Sequence, residues 1–295
     1  MTHMIGTSTI RLSAAALVLT AAASPLSAAR AQGLERAATG ITDMLQIAVD
    51  LLPADVTRVS LGIGPSINPD YEGSDHSKIS AVPVVSLRYR DILEVDNNEV
   101  KFTAFNRLFD SNTRLGNGSL RIGPLASVNF GRGEGASTKL MGMGGVGTAL
   151  ELGAFASYAL PGSERLRLRA RHDVVSGHGG ALVTIDLTQP FIRGERFAVG
   201  AGVAGTWASG PYMRSYFGVT AAQAAASGYP VFRPGAAFKD VALNLSGNYT
   251  IAPRWSVVGS AGYKRLMGAA ADSPLVRLVG SASQLSFSAF VVYQY

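Results

Sequence analysis

The chain has 295 residues, no cysteine, 34 glycines and a formal net charge of +6, with a mean hydropathy of +0.20. The missing thiols exclude disulfide stapling, cysteine nucleophiles and thiolate metal centres. Past residue 31 no run of ~18 apolar residues occurs, which excludes a membrane-spanning helix.

Residues 1–31 have the layout of a secretory signal peptide: Arg11, an apolar stretch from Leu12 to Ala23, and the small-residue site Ala29-Arg30-Ala31 before Gln32. Removing them leaves 295 − 31 = 264 residues with 26 − 2 = 24 basic and 20 acidic groups, because only Arg11 and Arg30 are lost. Export without a spanning helix leaves the periplasm, secretion or the outer membrane. Residues 32–57 follow as a periplasmic segment. Ile41, Met44, Leu45, Ala48, Leu51 and Leu52 form a helical stripe there, yet Leu45, Ile47, Val49 and Leu51 also alternate.

From residue 58 onward the period is two, the period of a strand whose faces meet opposite environments. Val59, Leu61 and Ile63 alternate in the first strand. Ala81–Tyr89, Ile92–Asp96 and Val100–Phe105 follow, then Leu120, Ile122, Pro124, Ala126, Val128 and Phe130 on one face. Leu150 to Tyr158 alternates next. It turns at Pro161-Gly162 into Arg165-Leu166-Arg167-Leu168-Arg169-Ala170-Arg171, one guanidinium face and one aliphatic face. Val183–Leu187, Phe197–Trp207, Val241–Tyr249, Trp255–Tyr263 and Leu285–Tyr295 complete the set. Tyr158, Trp207, Tyr249, Trp255, Tyr263 and Tyr295 fall at strand ends, where interfacial girdles need aromatic rings.

These segments predict an all-β chain: a single transmembrane antiparallel up-and-down β-barrel of about twelve strands over residues 58–295. An even count puts both ends in the periplasm, and a helix over part of residues 32–57 keeps it even. Ile251–Arg254, Gln189–Glu195 and Pro161–Glu164 then become inner turns. Gly131–Gly147, Ser176–Gly180, Ser209–Ala236 and Met267–Ser283 become outer loops. The terminal Tyr295 resembles the signal by which the barrel assembly machinery takes up outer-membrane substrates. The loop Ser209–Ala236, with Tyr212, Tyr216 and Phe217, is long enough to fold inward as a plug or outward as a binding surface.

Five short motifs occur in order: Tyr71-Glu72-Gly73-Ser74-Asp75 with Val82-Pro83-Val84-Val85; Gly177-His178-Gly179-Gly180; Tyr216-Phe217-Gly218-Val219; Tyr263-Lys264-Arg265-Leu266; and Asp272-Ser273-Pro274-Leu275. Together they resemble the MipA/OmpV family. The resemblance implies an outer-membrane barrel and, for the founding member, a non-enzymatic scaffold joining the lytic transglycosylase MltA to a bifunctional penicillin-binding protein in murein synthesis. Other members are porin-like or adhesive. A scaffold needs a partner surface of about 800 Å², and Gln32–Thr57 is the segment large enough to supply it.

The alternative is a small channel. Twelve strands lie between the eight that side chains just fill and the sixteen or more that leave an open pore. Arg165, Arg167, Arg169 and Arg171 on the lumen face would favour anions, or would meet Glu151 and Asp186 in an ion-pair lattice that closes the lumen.

A rim hydrolase built on His172, Asp173, Ser176 and His178, with Asp75-His76 nearby, has no nucleophile motif behind it. His76, His172 and His178 lack metal-ligand spacing, and Asp70, Glu72 and Asp75 are hard oxygen ligands that also serve as solvated rim charges. No cofactor is therefore expected. The basic groups form no stripe with stacking aromatics, which argues against nucleic acid. Arg214, Arg233, Lys264 and Arg265 sit at the outer rim, where lipopolysaccharide phosphates among the outer-membrane lipids are natural counter-ions.

Overall fold

The computed structural model describes residues 57–109, 118–160 and 164–295. The signal peptide expected over 1–31 and the following segment, as far as residue 56, lie outside the described residues. The strands are β1 (Thr57–Pro69), β2 (Ser77–Tyr89), β3 (Leu93–Asp96), β4 (Glu99–Phe102), β5 (Phe105–Phe109), β6 (Gly118–Asn129) and β7 (Ala149–Ala159). After them come β8 (Arg165–Asp173), β9 (Ala181–Arg193), β10 (Phe197–Ala208), β11 (Ala237–Ala252), β12 (Trp255–Leu266) and β13 (Ser283–Gln294).

Apart from β4 and β5, neighbours along the chain pair antiparallel, β13 returns to β1, and β4 pairs with β6, so the sheet closes on itself. β4 and β5 lie end to end along β6 and act as one interrupted stave, which makes a closed barrel of 12 strands. The strand expected over Val100–Phe105 is broken here. Lys101 pairs with Leu125 and Phe105 with Ile122, four residues against three, so one extra residue bulges at Thr103-Ala104. The Ala104 N–H still reaches the Ile122 carbonyl at 3.0 Å. Gly123 lies opposite; a Cβ there would stand 1.8 Å from the Phe102 oxygen, so the bulge requires glycine.

Polarity runs opposite to that of a soluble sheet. Ser60, Ser66, Ser127, Thr184, Asn244 and Ser246 face inward and are buried, as are Glu99 and Glu151. Ile63 is 63% exposed and Ile185 50%, and Leu243 and Leu285 are exposed with them. Large apolar side chains turned outward around a polar interior match a wall bathed in hydrocarbon. Trp207, Phe238 and Tyr263 lie exposed towards one end of the wall and Phe197, Tyr249 and Trp255 towards the other. The lumen is not uniformly polar: Val82, Val84, Val258, Phe290 and Val292 form an apolar cluster on the β2, β12 and β13 side.

The two rims differ. At the inner rim β9 joins β10 and β11 joins β12 through tight turns, the latter with Arg254 at φ 73°. At the outer rim three connections are long and carry helices: two 3-10 turns (Glu134–Ala136, Thr138–Leu140), α1 (Gly210–Phe217), α2 (Ala221–Ser227), α3 (Gly268–Ala271) and α4 (Pro274–Arg277). α1 starts with Pro211 in its first turn. α2 starts with a reciprocal capping box between Thr220 and Gln223 and ends at Gly228 in the left-handed region.

Candidate functional site

Period-two alternation along β8 sends Arg167 and Arg169 into the lumen, where both are buried, with the less enclosed Arg165 and Arg171 at either end. Arg167 Nε lies 2.9 Å from Asp186 Oδ2 on β9, and Arg169 Nη2 lies 3.3 Å from the other oxygen. Arg169 also reaches Glu99 at 3.5 Å, and Arg171 bridges Glu99 at 3.8 Å and Glu151 at 3.3 Å. From Glu99 the pairs continue to Lys101 at 3.5 Å, to Asp96 and Glu94, and from Glu94 to Arg88 at 3.3 Å. The lattice thus runs across the barrel from β2 to β9. Arg88, Lys101, Arg167, Arg169 and Arg171 meet Glu94, Asp96, Glu99, Glu151 and Asp186, and Arg121 and Arg165 also lie within electrostatic reach of Glu94. Arginines held by carboxylates in this way do not form a bare cationic ring.

Above the lattice the outer loops fold inward into a lid. α1 dips into the mouth and buries Tyr212, Met213, Tyr216 and Phe217 against Leu182, Leu266, Ala270 and Val276. A second cluster joins Tyr71, Leu140, Met143, Val219 and Leu275 from the other loops. Each such side chain stabilises the closed lid by about 1.5–3 kcal/mol. Of the two courses open to loop Ser209–Ala236, α1 takes the inward one, whereas the Ala221–Ser227 helix buries no residue.

The motif residues meet in this lid. Tyr71 Oη donates to the Leu275 carbonyl at 3.2 Å, and burial, with Tyr229 and Asp75 nearby, pushes its phenol up to about 12. Gly73 N donates to Gln284 Oε1, whose amide nitrogen donates to Ser74 O. Ser273 Oγ donates to the Phe217 carbonyl at 2.7 Å; Pro274 is buried in the first turn of α4, Asp272 is exposed, and Gly218 closes α1. His178 lies 2.9 Å from Glu151 and edge-on to Tyr212, which stacks on Tyr216 at 4.5 Å. Burial raises both tyrosine phenols. Gly177 packs on Thr148, Gly179 takes a positive φ of 65°, and a Cβ on Gly180 would stand 2.4 Å from Tyr212 N. Tyr295 lies at the opposite rim, its N–H on the Val59 carbonyl.

Between lid and lattice lies a chamber of about 200 Å³. Glu72 holds Lys239 by a short contact and Lys264 at 3.7 Å, and Lys239 also reaches Asp240 at 2.6 Å. Arg132 Nη1 donates to the Tyr216 carbonyl at 2.9 Å, and Tyr216 Oη donates to Asn129. With Arg171, Glu151 and Asp70, four cations and four carboxylates line the space. Room for it comes partly from β10, which turns Ala204 and Thr206 towards it.

The remaining sequence candidates go elsewhere. Asp173 accepts backbone N–H groups of Val175, His178 and Gly179, shaping the loop, while the His178 imidazole turns to Glu151 and His172 lies exposed on the outer face of β8. Asp75 sits on the rim against Lys139 at 2.5 Å and His76 at 2.8 Å; hydrogen bonds from Lys139 and then His76 hold its carboxyl down at about 2. Glu72 and Asp75 thus each face an ammonium group, and the described residues contain no cluster fit for a metal ion. Arg214, Arg233 and Arg265 are exposed at the outer end, whereas Lys264 turns inward to Glu72.

Sequence reasoning missed Glu99, Lys101, Glu94 and Asp96. The signal was present: charges alternate at 94 and 96 and again at 99 and 101, the same period as the arginines. Arg132, Lys239 and Asp240 carried no such local sign, since their partners lie far along the chain.

Residues 61–295 match the family model described as MltA-interacting protein MipA. No curated relative matches the sequence. Among solved structures, the translocator domain of the autotransporter NalP from Neisseria meningitidis is similar at 11% identity, covering 87% of this chain and 94% of that one, with a TM-score of 0.43. An outer membrane channel from Pseudomonas putida F1 is similar at 11% identity over 83% of this chain and 97% of that one, TM-score 0.36.

Proposed function

This chain belongs to the MipA family, and from that premise we propose that it is a non-enzymatic envelope scaffold that holds a lytic transglycosylase of MltA type, together with a murein-synthesising partner, at the inner face of the outer membrane. The observation that carries this reading is the occluded lumen. An ion-pair lattice crosses the barrel and an apolar lid covers its outer mouth, so a partner's approach is to the barrel's surface. β1 begins at Thr57 on the inner rim, and the segment leading into it, residues 32–56, is the docking element we assign, because the inner turns between described strands are too short to supply about 800 Å².

The test is binding of the detergent-folded barrel, with and without residues 32–56, to a purified MltA-type transglycosylase at physiological salt. Saturable binding that the truncation removes supports the scaffold and its surface. Binding that survives the truncation overturns the assigned surface, and no binding by either form overturns the scaffold.

A further inference from the structure

The chamber between lid and lattice has the chemistry of a ligand site, and we infer that it binds a neutral polyhydroxylated solute of monosaccharide size, admitted from outside when the lid opens. Its volume, about 200 Å³, lies below the roughly 300–1,000 Å³ of pockets that hold drug-sized ligands, which suits a small solute. The charges described above cancel four against four, and Lys239, Lys264 and Arg171 are already held by carboxylates. An ion would have to compete with these pairs; Arg132, the remaining cation, is held by the Tyr216 carbonyl.

The buried lining atoms without a hydrogen-bond partner include Asn68 Oδ1, an acceptor, and the donors Arg132 Nε and Arg171 Nε. Asn68 and Arg132 are more than nine-tenths buried, and buried polar atoms are ordinarily satisfied. Open donors beside an open acceptor suit hydroxyl groups, which serve as both. The amides of Asn98, Asn129 and Asn244 and the Thr206 hydroxyl add further neutral polar groups around them. The lattice and the apolar cluster lie beneath the chamber, so the outer mouth is the nearer way in. The inference does not depend on any periplasmic partner.

The experiment is isothermal titration of the detergent-folded barrel with glucose, with gluconate and protonated glucosamine as charged probes of the same size. Saturable heat with glucose, exceeding that with either charged probe, is expected. Ala204→Leu, which fills the chamber, should abolish it, and Asn68→Leu should weaken it by roughly fivefold, the worth of one hydrogen bond. Folding of each variant is read from heat-modifiable migration; if Ala204→Leu does not fold, Asn68→Leu decides alone. Absence of saturation, preference for a charged probe, or glucose binding unchanged in the folded variants would overturn the inference.

Discussion

The His178 imidazole stands 2.9 Å from the Glu151 carboxylate with both side chains about 1% exposed, which ties a lid loop to the barrel wall. Glu151 also holds Arg171 at 3.3 Å and accepts from Asn129 at 3.2 Å. Removing His178 therefore leaves the carboxylate partnered, and His178→Ala should cost about 1–3 kcal/mol. Glu151→Ala takes this partner from Arg171 and His178 at once and should cost about 3–5 kcal/mol. Urea unfolding in lipid vesicles measures both, and the double variant should lose less than the sum.

The lattice makes a second prediction. Asp186→Ala leaves Arg167 and Arg169 facing each other across a vacated carboxylate and should destabilise the barrel by about 3–5 kcal/mol. Replacing Arg167 and Asp186 together by leucine removes charge and counter-charge, and should cost less than Asp186→Ala alone. A larger loss in the double variant would mean that the pair contributes net stability.

Asp75 gives the pH dependence. Its folded carboxyl is depressed from the usual 3.8 to about 2, first by the Lys139 hydrogen bond. A group depressed in the folded state contributes stability above its unfolded value, and that contribution is lost as pH falls from about 4 through 2. The clamp between the β1–β2 and β6–β7 loops should weaken over that window. Lys139→Met should move the Asp75 titration, followed by carboxyl-carbon NMR, back towards its usual value; an unmoved titration would contradict the pairing.

Gly180 tests the lid without touching charge. A Cβ there meets Tyr212 N at 2.4 Å, so Gly180→Ala should push α1 out of the mouth. Limited proteolysis should then cut within Ser209–Ala236 several-fold faster, while far-UV circular dichroism of the barrel stays unchanged.

The wall of the barrel was legible because lipid and lumen impose period two on every long strand. Outward Leu166 and Leu168 against inward Arg167 and Arg169 can be read without any coordinates. The break at Thr103-Ala104 was not legible, since a bulge changes pairing and not composition. The lid was half legible. Its residues stood out as motifs, but their meeting depends on contacts such as Tyr71 to Leu275, 204 positions apart, which no local pattern encodes. Lys239 and Glu72, 167 positions apart, escaped for the same reason.

Planar-bilayer recording of the purified full-length barrel decides most directly whether the lumen is closed, on which the scaffold reading rests. Lattice and lid together predict no steady ohmic conductance in the wild type, and stepwise currents only after Arg167, Arg169 and Asp186 are replaced by serine and α1 is displaced by Gly180→Ala. A stable, anion-selective conductance in the wild type would contradict it and make the protein a small channel.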